Sequence, residues 1–293
     1  MLMLSSNGFN ASDQPIVKPQ LWRLIMHLQG KTALITGASR GIGRAIALEF
    51  AKHGVQRLLL VARDHQRLVE VATEVNAYGV DAVPIAVDLT NPIDVNIAVA
   101  QVWRNYGPID LLINCAGVAH QSSFLQSRLS DVQEEISTNL VGLYTITRFV
   151  ARRMVKQRAG AIVNVSSLMG KVAAPTMATY SATKFAILGF TQALRGELAA
   201  HNVKVTALLP SLTDTDMVRD LQWFRWVIPM TPQQVAKALV DGLARDSPEI
   251  LVGWQSHLAV WGNRLAPWFI EKVLRVAAPK PYSELREAAA TSR

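Results

Sequence analysis

The chain has 293 residues, half of them apolar and 18% charged; that balance excludes a disordered chain and supplies enough material for one large domain or two small ones. The single cysteine, Cys115, excludes an internal disulfide, and the six scattered histidines never fall at metal-ligand spacing with another His, Cys or acidic cluster, so no metal site is expected. The formal charge of +8 suits a polyanion, an anionic membrane or a phosphorylated ligand, but zinc-finger spacing, a basic region with heptads and an aromatic RNA-binding signature are missing, so no nucleic-acid partner is expected.

Residues 1–29 read as an N-terminal arm. Met1 to Leu4 is apolar but short and lacks a basic segment, so no secretory signal is expected and the location reads as cytoplasmic. Ser5 to Pro19 is polar and turn-rich, and Leu21 to Leu28 suits a short helix packed on the body. Without a secretory signal, the Asn10-Ala11-Ser12 sequon carries little weight.

Thr32 to Thr36 is an apolar, β-rich run that stops at glycines and reads as a buried parallel strand. The turn Gly37-Ala38-Ser39-Arg40-Gly41-Ile42-Gly43 follows, then a helical pattern over Arg44–His53 with Gly54 as its stop. Strand, glycine turn and helix together deliver helix N–H groups to a pyrophosphate. The spacing is G-x-x-x-G-x-G rather than the more familiar G-x-G-x-x-G. A second strand spans Arg57 to Ala62. Its end carries Arg63 where an NAD enzyme would carry a ribose-binding acid; Arg63 and Arg40 can pair with a 2′-phosphate, which argues for NADP(H). Asp64, next along, offers a ribose hydroxyl a partner if the loop shifts.

A helix is expected over Asp64–Tyr78 and a strand over Ala82–Val87, ending at Asp88-Leu89-Thr90 on the ligand side of such a sheet, with Thr90 and Pro92 capping and opening the next helix. Ile109 to Ile113 makes another strand, closed by Asn114-Cys115-Ala116-Gly117, small residues that let a flat ring lie against the backbone; Cys115 reads as a wall residue, not a reactive thiol. Ser130 to Gln157 is a long helical pattern with Ser130 as its cap and Asn139 inside it. Ala161 to Val165 is a strand running into Ser166-Ser167, and Ser167 lies thirteen residues before Tyr180. Tyr180 and Lys184 are four apart, on one face of a helix over Tyr180–His201. A cation beside a phenol favours the phenolate, so a lowered Tyr180 pKa is expected. The strand Val203–Leu209 leads into Pro210-Ser211-Leu212-Thr213-Asp214-Thr215.

Together, Thr36-Gly-x-x-x-Gly-x-Gly43, Asn114-x-Ala-Gly117, Asn139, Ser167 and Tyr180-x-x-x-Lys184 resemble the short-chain dehydrogenase/reductase family over residues 30–253. The resemblance implies an α/β fold, a doubly wound Rossmann sheet of seven parallel strands with helices on both faces, and a homodimer or homotetramer. It implies catalytic roles for Tyr180 as the acid, Lys184 as ribose holder, Ser167 as carbonyl donor and Asn139 as holder of a relay water. Cofactor contacts are implied for Gly37, Ser39, Arg40, Gly41, Ile42, Gly43, Arg63, Asp88, Leu89, Asn114, Ala116, Gly117, Tyr180, Lys184, Pro210, Thr213 and Thr215. Ser211 stands where the family usually has Gly.

Val218 to Met230 should be the substrate loop; its Leu221, Trp223, Phe224, Trp226, Val227 and Ile228 suit an apolar carbonyl or alcohol, with lid packing or an oligomer contact as the competing reading. The expected reaction interconverts a carbonyl and an alcohol with NADP(H), on a 3-oxoacyl thioester or on a steroid- or retinoid-type substrate; Lys156, Arg158 and Arg195 would give the former a basic face for an acidic carrier. The rival is a non-catalytic dinucleotide sensor or scaffold. Thr231-Pro232 opens a helix and Glu249 to Gly253 reads as the last strand. Residues 254–293 form a C-terminal extension with Trp254, Trp261 and Trp268 at seven-residue intervals, basic residues between, a break at Pro267 and a tail after Pro279. It reads either as peripheral contact with an anionic membrane or as cover for a sheet edge or subunit interface.

Overall fold

The computed structural model describes residues 28–279. The arm, its short helix, the sequon and the final tail lie outside them, apart from residues 28–29.

Seven strands form one parallel sheet: β1 (Thr32–Thr36), β2 (Arg57–Ala62), β3 (Asp81–Ala86), β4 (Leu111–Asn114), β5 (Gly160–Val165), β6 (Val203–Leu209) and β7 (Glu249–Leu251), in the order β3-β2-β1-β4-β5-β6-β7. Helices connect them: α1 (Gly41–Lys52), α2 (His65–Asn76), α3 (Pro92–Tyr106), α4 (Leu129–Glu135), α5 (Leu143–Gln157), α6 (Ala178–Ala199), α7 (Pro232–Ala244), α8 (Trp254–Leu265) and α9 (Pro267–Ala277).

The central strands are mostly apolar because both faces are covered, with charged residues such as Arg57, Asp81, Lys204 and Glu249 at or near strand ends. Along β1, Ala33 and Ile35 join the core under α1, α2 and α7, where Phe50, Leu68 and Leu239 are buried. Leu34 points the other way, into the core with Val99, Ile146 and Met154 under α3 and α5. β2 alternates likewise, Leu58 and Leu60 against Leu59 and Val61. The strand order reverses between β1 and β4, and an open α/β sheet holds its ligand at the carboxyl ends of the strands flanking that reversal.

Several local expectations need correction. Asn91, not Thr90, caps α3: its side chain accepts from Ile93 N and Asp94 N, while Thr90 turns back to Asp88. Ser130 lies inside α4, whose N-cap position is held by Arg128. The pattern over 130–157 is not one α-helix, because Ile136–Gly142 is π-helical. The extra residue per turn in such a segment rotates side chains out of the α register, and it is here that Asn139 sits. Thr231 does cap α7, through a reciprocal capping box with Gln234. The chain breaks at Ala266-Pro267, giving α8 and α9 as a hairpin.

Candidate active site

A cleft of about 720 Å³ opens at the carboxyl ends of the strands. Its floor at one end is the glycine turn. Gly37 has φ +67°, and a Cβ there would come within 2.8 Å of the Ala116 Cα; a Cβ on Gly43 would come within 2.2 Å of the Gly37 carbonyl. The three backbone segments therefore touch only because these residues lack side chains. Arg40 gives α1 no side-chain cap, so the first N–H groups of the helix stay available at its electropositive end. That cradle fits a diphosphate.

Thr36 closes the adjoining strand ends. Its Oγ1 accepts from Cys115 N at 3.0 Å and Ala116 N at 3.1 Å, fixing the β4 exit against β1. Arg63 and Arg40 flank the cleft beyond the turn, joined by Arg67 from the first turn of α2. The Arg40 guanidinium lies 3.6 Å from Asp216. Asp64 is engaged elsewhere: it caps α2 by accepting from Arg67 N at 3.1 Å, and its other oxygen faces the Arg67 guanidinium at 3.4 Å. Asp88 accepts twice from Thr90, which holds its carboxyl below the ordinary value.

Ser167, Tyr180 and Lys184 line the middle of the cleft. Ser167 ends β5 and caps the short turn Leu168–Gly170, accepting from Met169 N at 3.1 Å. Tyr180 and Lys184 come from one turn of α6, with Lys184 Nζ 5.4 Å from the Tyr180 ring centre and donating to the Val165 carbonyl at 3.1 Å. The expected depression of the Tyr180 pKa is not found. Burial pushes the phenol up to about 12, with the nearby Ser167 hydroxyl acting against that rise. Burial likewise pulls Lys184 down to about 8. For Lys184 desolvation outweighs the neighbouring acid Glu135, while for Tyr180 desolvation and the Glu135 charge act in the same direction. Cys115 also lines the cleft, and burial raises its thiol to about 12, which keeps it protonated and inert.

Of the sequence-predicted residues, Gly37, Ser39, Arg40, Gly41, Ile42, Gly43, Arg63, Asp88, Leu89, Ala116, Gly117, Pro210, Thr213 and Thr215 line the cleft with the central three. Asn114 and Asn139 do not. Asn114 points into the sheet, donating to Thr147 Oγ1 at 2.7 Å and Asn164 Oδ1 at 2.8 Å, and Asn164 passes the chain on to Thr191. Asn139 is buried behind the wall. Its amide accepts from Val118 N at 2.7 Å and donates to Val118 O at 2.9 Å and Thr183 Oγ1 at 3.3 Å. Glu135 escaped the sequence reading: it is buried, accepts from His120 N at 2.7 Å, and burial raises its carboxyl. An acid at a helical core position was the available signal.

The far end of the cleft is apolar. Leu221, Trp223, Phe224, Trp226 and Val227 line it. Two glutamines pin this irregular loop. Gln121 brackets Gln222 through both backbone groups, at 2.8 and 3.0 Å. Gln255 of α8 accepts from Ile228 N and donates to Trp226 O, each at 3.1 Å. Ile270, Val273, Leu274 and Ala277 of α9 complete the wall, so the extension builds part of the cleft. Lys156 and Arg158 are exposed; Arg195 donates to the carbonyls of Val205 and Pro248 and Arg158 to that of Ala200, contacts that leave the guanidinium charges in place.

The short chain dehydrogenase family profile matches residues 31–225. A 3-oxoacyl-[acyl-carrier-protein] reductase of Aquifex aeolicus is 37% identical over 223 residues, covering 73% of this chain and 90% of the relative. Among solved structures, a short-chain dehydrogenase from Burkholderia cenocepacia in complex with NADP superposes with a TM-score of 0.74 at 27% identity, covering 86% of this chain and 99% of that one. A short-chain dehydrogenase from Sphingobium yanoikuyae in complex with NADPH gives 0.71 at 33% identity, over 82% and 95%.

Proposed function

Since the chain belongs to the short-chain dehydrogenase/reductase family and is therefore an NAD(P)-dependent oxidoreductase, we propose that it reduces an apolar ketone or aldehyde with NADPH. The carrying observation is one continuous cleft with guanidinium groups at one end, Ser167, Tyr180 and Lys184 in the middle and aromatic side chains at the other.

The glycine cradle and the start of α1 would hold the diphosphate, Arg40 and Arg63 the 2′-phosphate, and Lys184 the ribose. Asp64, committed to its cap, competes poorly for that ribose, which favours NADP(H) over NAD(H). NADPH supplies the hydride when bound. Tyr180, protonated at neutral pH, donates its proton to the carbonyl oxygen while the Ser167 hydroxyl donates a hydrogen bond to the same atom. Asn139 acts through Val118, holding the wall beside Gly117 in place. Ile136, Val141, Tyr144 and Phe185 are exposed on the π-segment, α5 and α6, which supports a homo-oligomer formed through those helices.

The experiment is NADPH oxidation by the purified chain with medium-chain 3-oxoacyl thioesters and with steroid and retinoid carbonyls, beside NADH. NADPH-linked turnover with any of these supports the reading and names the substrate class. Tight NADPH binding with no turnover on any would favour a dinucleotide sensor.

A further inference from the structure

We propose that the α8–α9 hairpin and the 218–230 loop form a docking face for an anionic lipid bilayer. On α8, Trp254, Leu258, Trp261 and Leu265 fall at i, i+4, i+7 and i+11, one stripe along the helix. All four face outward, 65%, 63%, 58% and 77% exposed. Trp268, Phe269 and Val276 of α9 and Trp223, Trp226 and Ile228 of the loop are exposed as well. The loop and α9 are joined by a hydrogen bond from Arg225 N to the Ala277 carbonyl at 2.9 Å.

An apolar stripe this long on a soluble face asks for an occupant, and the charges say which. Arg225, Arg264, Lys272 and Arg275 are exposed in these segments, with Glu271 as the one acid of the hairpin and Asp220 as the one acid of the loop. None of the four cations forms an ion pair among the described residues. Indole rings interleaved with unpaired cations match a boundary with phosphates above and acyl chains below. A second copy of the chain on this face would set like charges against each other. No helix among the described residues is long and apolar enough to cross a bilayer, so the contact is peripheral.

The face is continuous with the cleft. Trp223 and Trp226 both line the cleft and are exposed, and α9 turns Ile270, Val273, Leu274 and Ala277 inward while Trp268, Phe269 and Val276 point out. An apolar substrate can then pass from bilayer to cleft without crossing water; this last step rests on the oxidoreductase reading, the docking itself does not.

The test is flotation of the full chain with vesicles of phosphatidylcholine alone or doped with phosphatidylserine, at low and high salt, with Trp emission and quenching by brominated acyl chains. The expected result is binding to doped vesicles, weakened by salt, with blue-shifted and quenched emission. Replacing Arg264, Lys272 and Arg275 together by Gln should weaken it about a hundredfold, at roughly fivefold per cation. Trp254→Ser with Trp261→Ser and Trp268→Ser should weaken flotation and remove most of the quenching, leaving Trp223 and Trp226 as the remaining reporters on the face, with the melting temperature as a check that the variant folds. No flotation of the wild-type chain overturns the proposal. Flotation without quenching overturns it too, as does self-association that the Trp substitutions abolish in a chain that ignores vesicles. None of these readouts depends on turnover, so enzymatic inactivity leaves them interpretable.

Discussion

Lys184 Nζ stands 5.4 Å from the centre of the Tyr180 ring and donates to the Val165 carbonyl. The pair is one turn apart on α6, yet the ammonium does not act as a hydrogen-bond donor to the phenol. With burial pushing its pKa up to about 12, Tyr180 keeps its proton at neutral pH, which suits a group that must give it to a developing oxyanion. Tyr180→Phe preserves the buried ring and removes only that proton. Carbonyl reduction should fall about 10²- to 10⁴-fold in kcat, while NADPH affinity by fluorescence titration and the melting temperature stay near wild type. Undiminished turnover would remove Tyr180 from the mechanism.

Arg40 and Arg63 predict cofactor choice. Asp64 is tied to its helix cap, so discrimination falls to the guanidinium groups lining that end of the cleft. A charge-assisted hydrogen bond to phosphate contributes about 1.5–3 kcal/mol. Arg63→Ala should therefore raise the KM for NADPH about ten- to a hundredfold, with Arg40→Ala in the same direction, and neither should alter kinetics with NADH by more than about twofold on the same argument. Steady-state assays with both nucleotides decide it; equal losses with each would make the arginines structural.

What the sequence made legible was whatever depends on local pattern and two-sided burial. Thr32–Thr36, Arg57–Ala62 and Val203–Leu209 begin and end as the apolar runs do, because a strand covered on both faces reads as a near-continuous apolar run rather than an alternating one. The glycine turn was legible because its spacing carries a steric requirement. Three things were not. The π-helical segment at Asn139 has no propensity signal, since it depends on where the amide must reach in three dimensions. Asn114 looked like a cleft residue because its neighbours are, but strand alternation sends its side chain into the sheet. Spacing put Tyr180 beside Lys184 correctly, yet burial, which spacing does not report, reversed the expected pKa. The C-terminal hairpin was recognisable as amphipathic, but only tertiary contact reveals that its second helix walls the cleft.

Lys184 also predicts a pH-dependent stability in the nucleotide-free chain. Its folded pKa is lowered from 10.5 to about 8 by burial. Between those values the unfolded chain holds a proton that the folded one lacks, so this group's contribution to stability rises with pH. Below pH 8 the full cost of burying the ammonium remains, about 3 kcal/mol. Lys184→Met removes it and leaves the Val165 carbonyl without its donor, an offset of about 1 kcal/mol. The variant should thus be about 2 kcal/mol more stable than the parent at pH 7. That advantage should narrow by about 1 kcal/mol from pH 8 to 9, as the folded chain loses the proton that the unfolded chain still holds. Cys115, raised by burial from 9.0 to about 12 against the opposing pull of the Lys184 charge, acts the other way above pH 9. Urea unfolding at pH 7, 8 and 9 checks the trend; a pH-independent difference would mean that the ammonium is not desolvated.

Asn139 separates a clamp from a water holder. Its amide satisfies both backbone groups of Val118 and reaches Thr183, in the turn of α6 between Tyr180 and Lys184. Asn139→Ala leaves Val118 N–H and C=O without those partners, at about 1–3 kcal/mol, or about 2–4 °C of melting temperature per kcal/mol. Because Val118 follows Gly117 in the cleft wall, the loosening should reach the nucleotide as well, raising its Kd along with the loss in kcat. A residue whose whole task was to hold a relay water would lower kcat with stability and Kd unmoved. Calorimetry, nucleotide titration and turnover on the same preparation distinguish the two, and the paired contacts to Val118 predict that all three shift together.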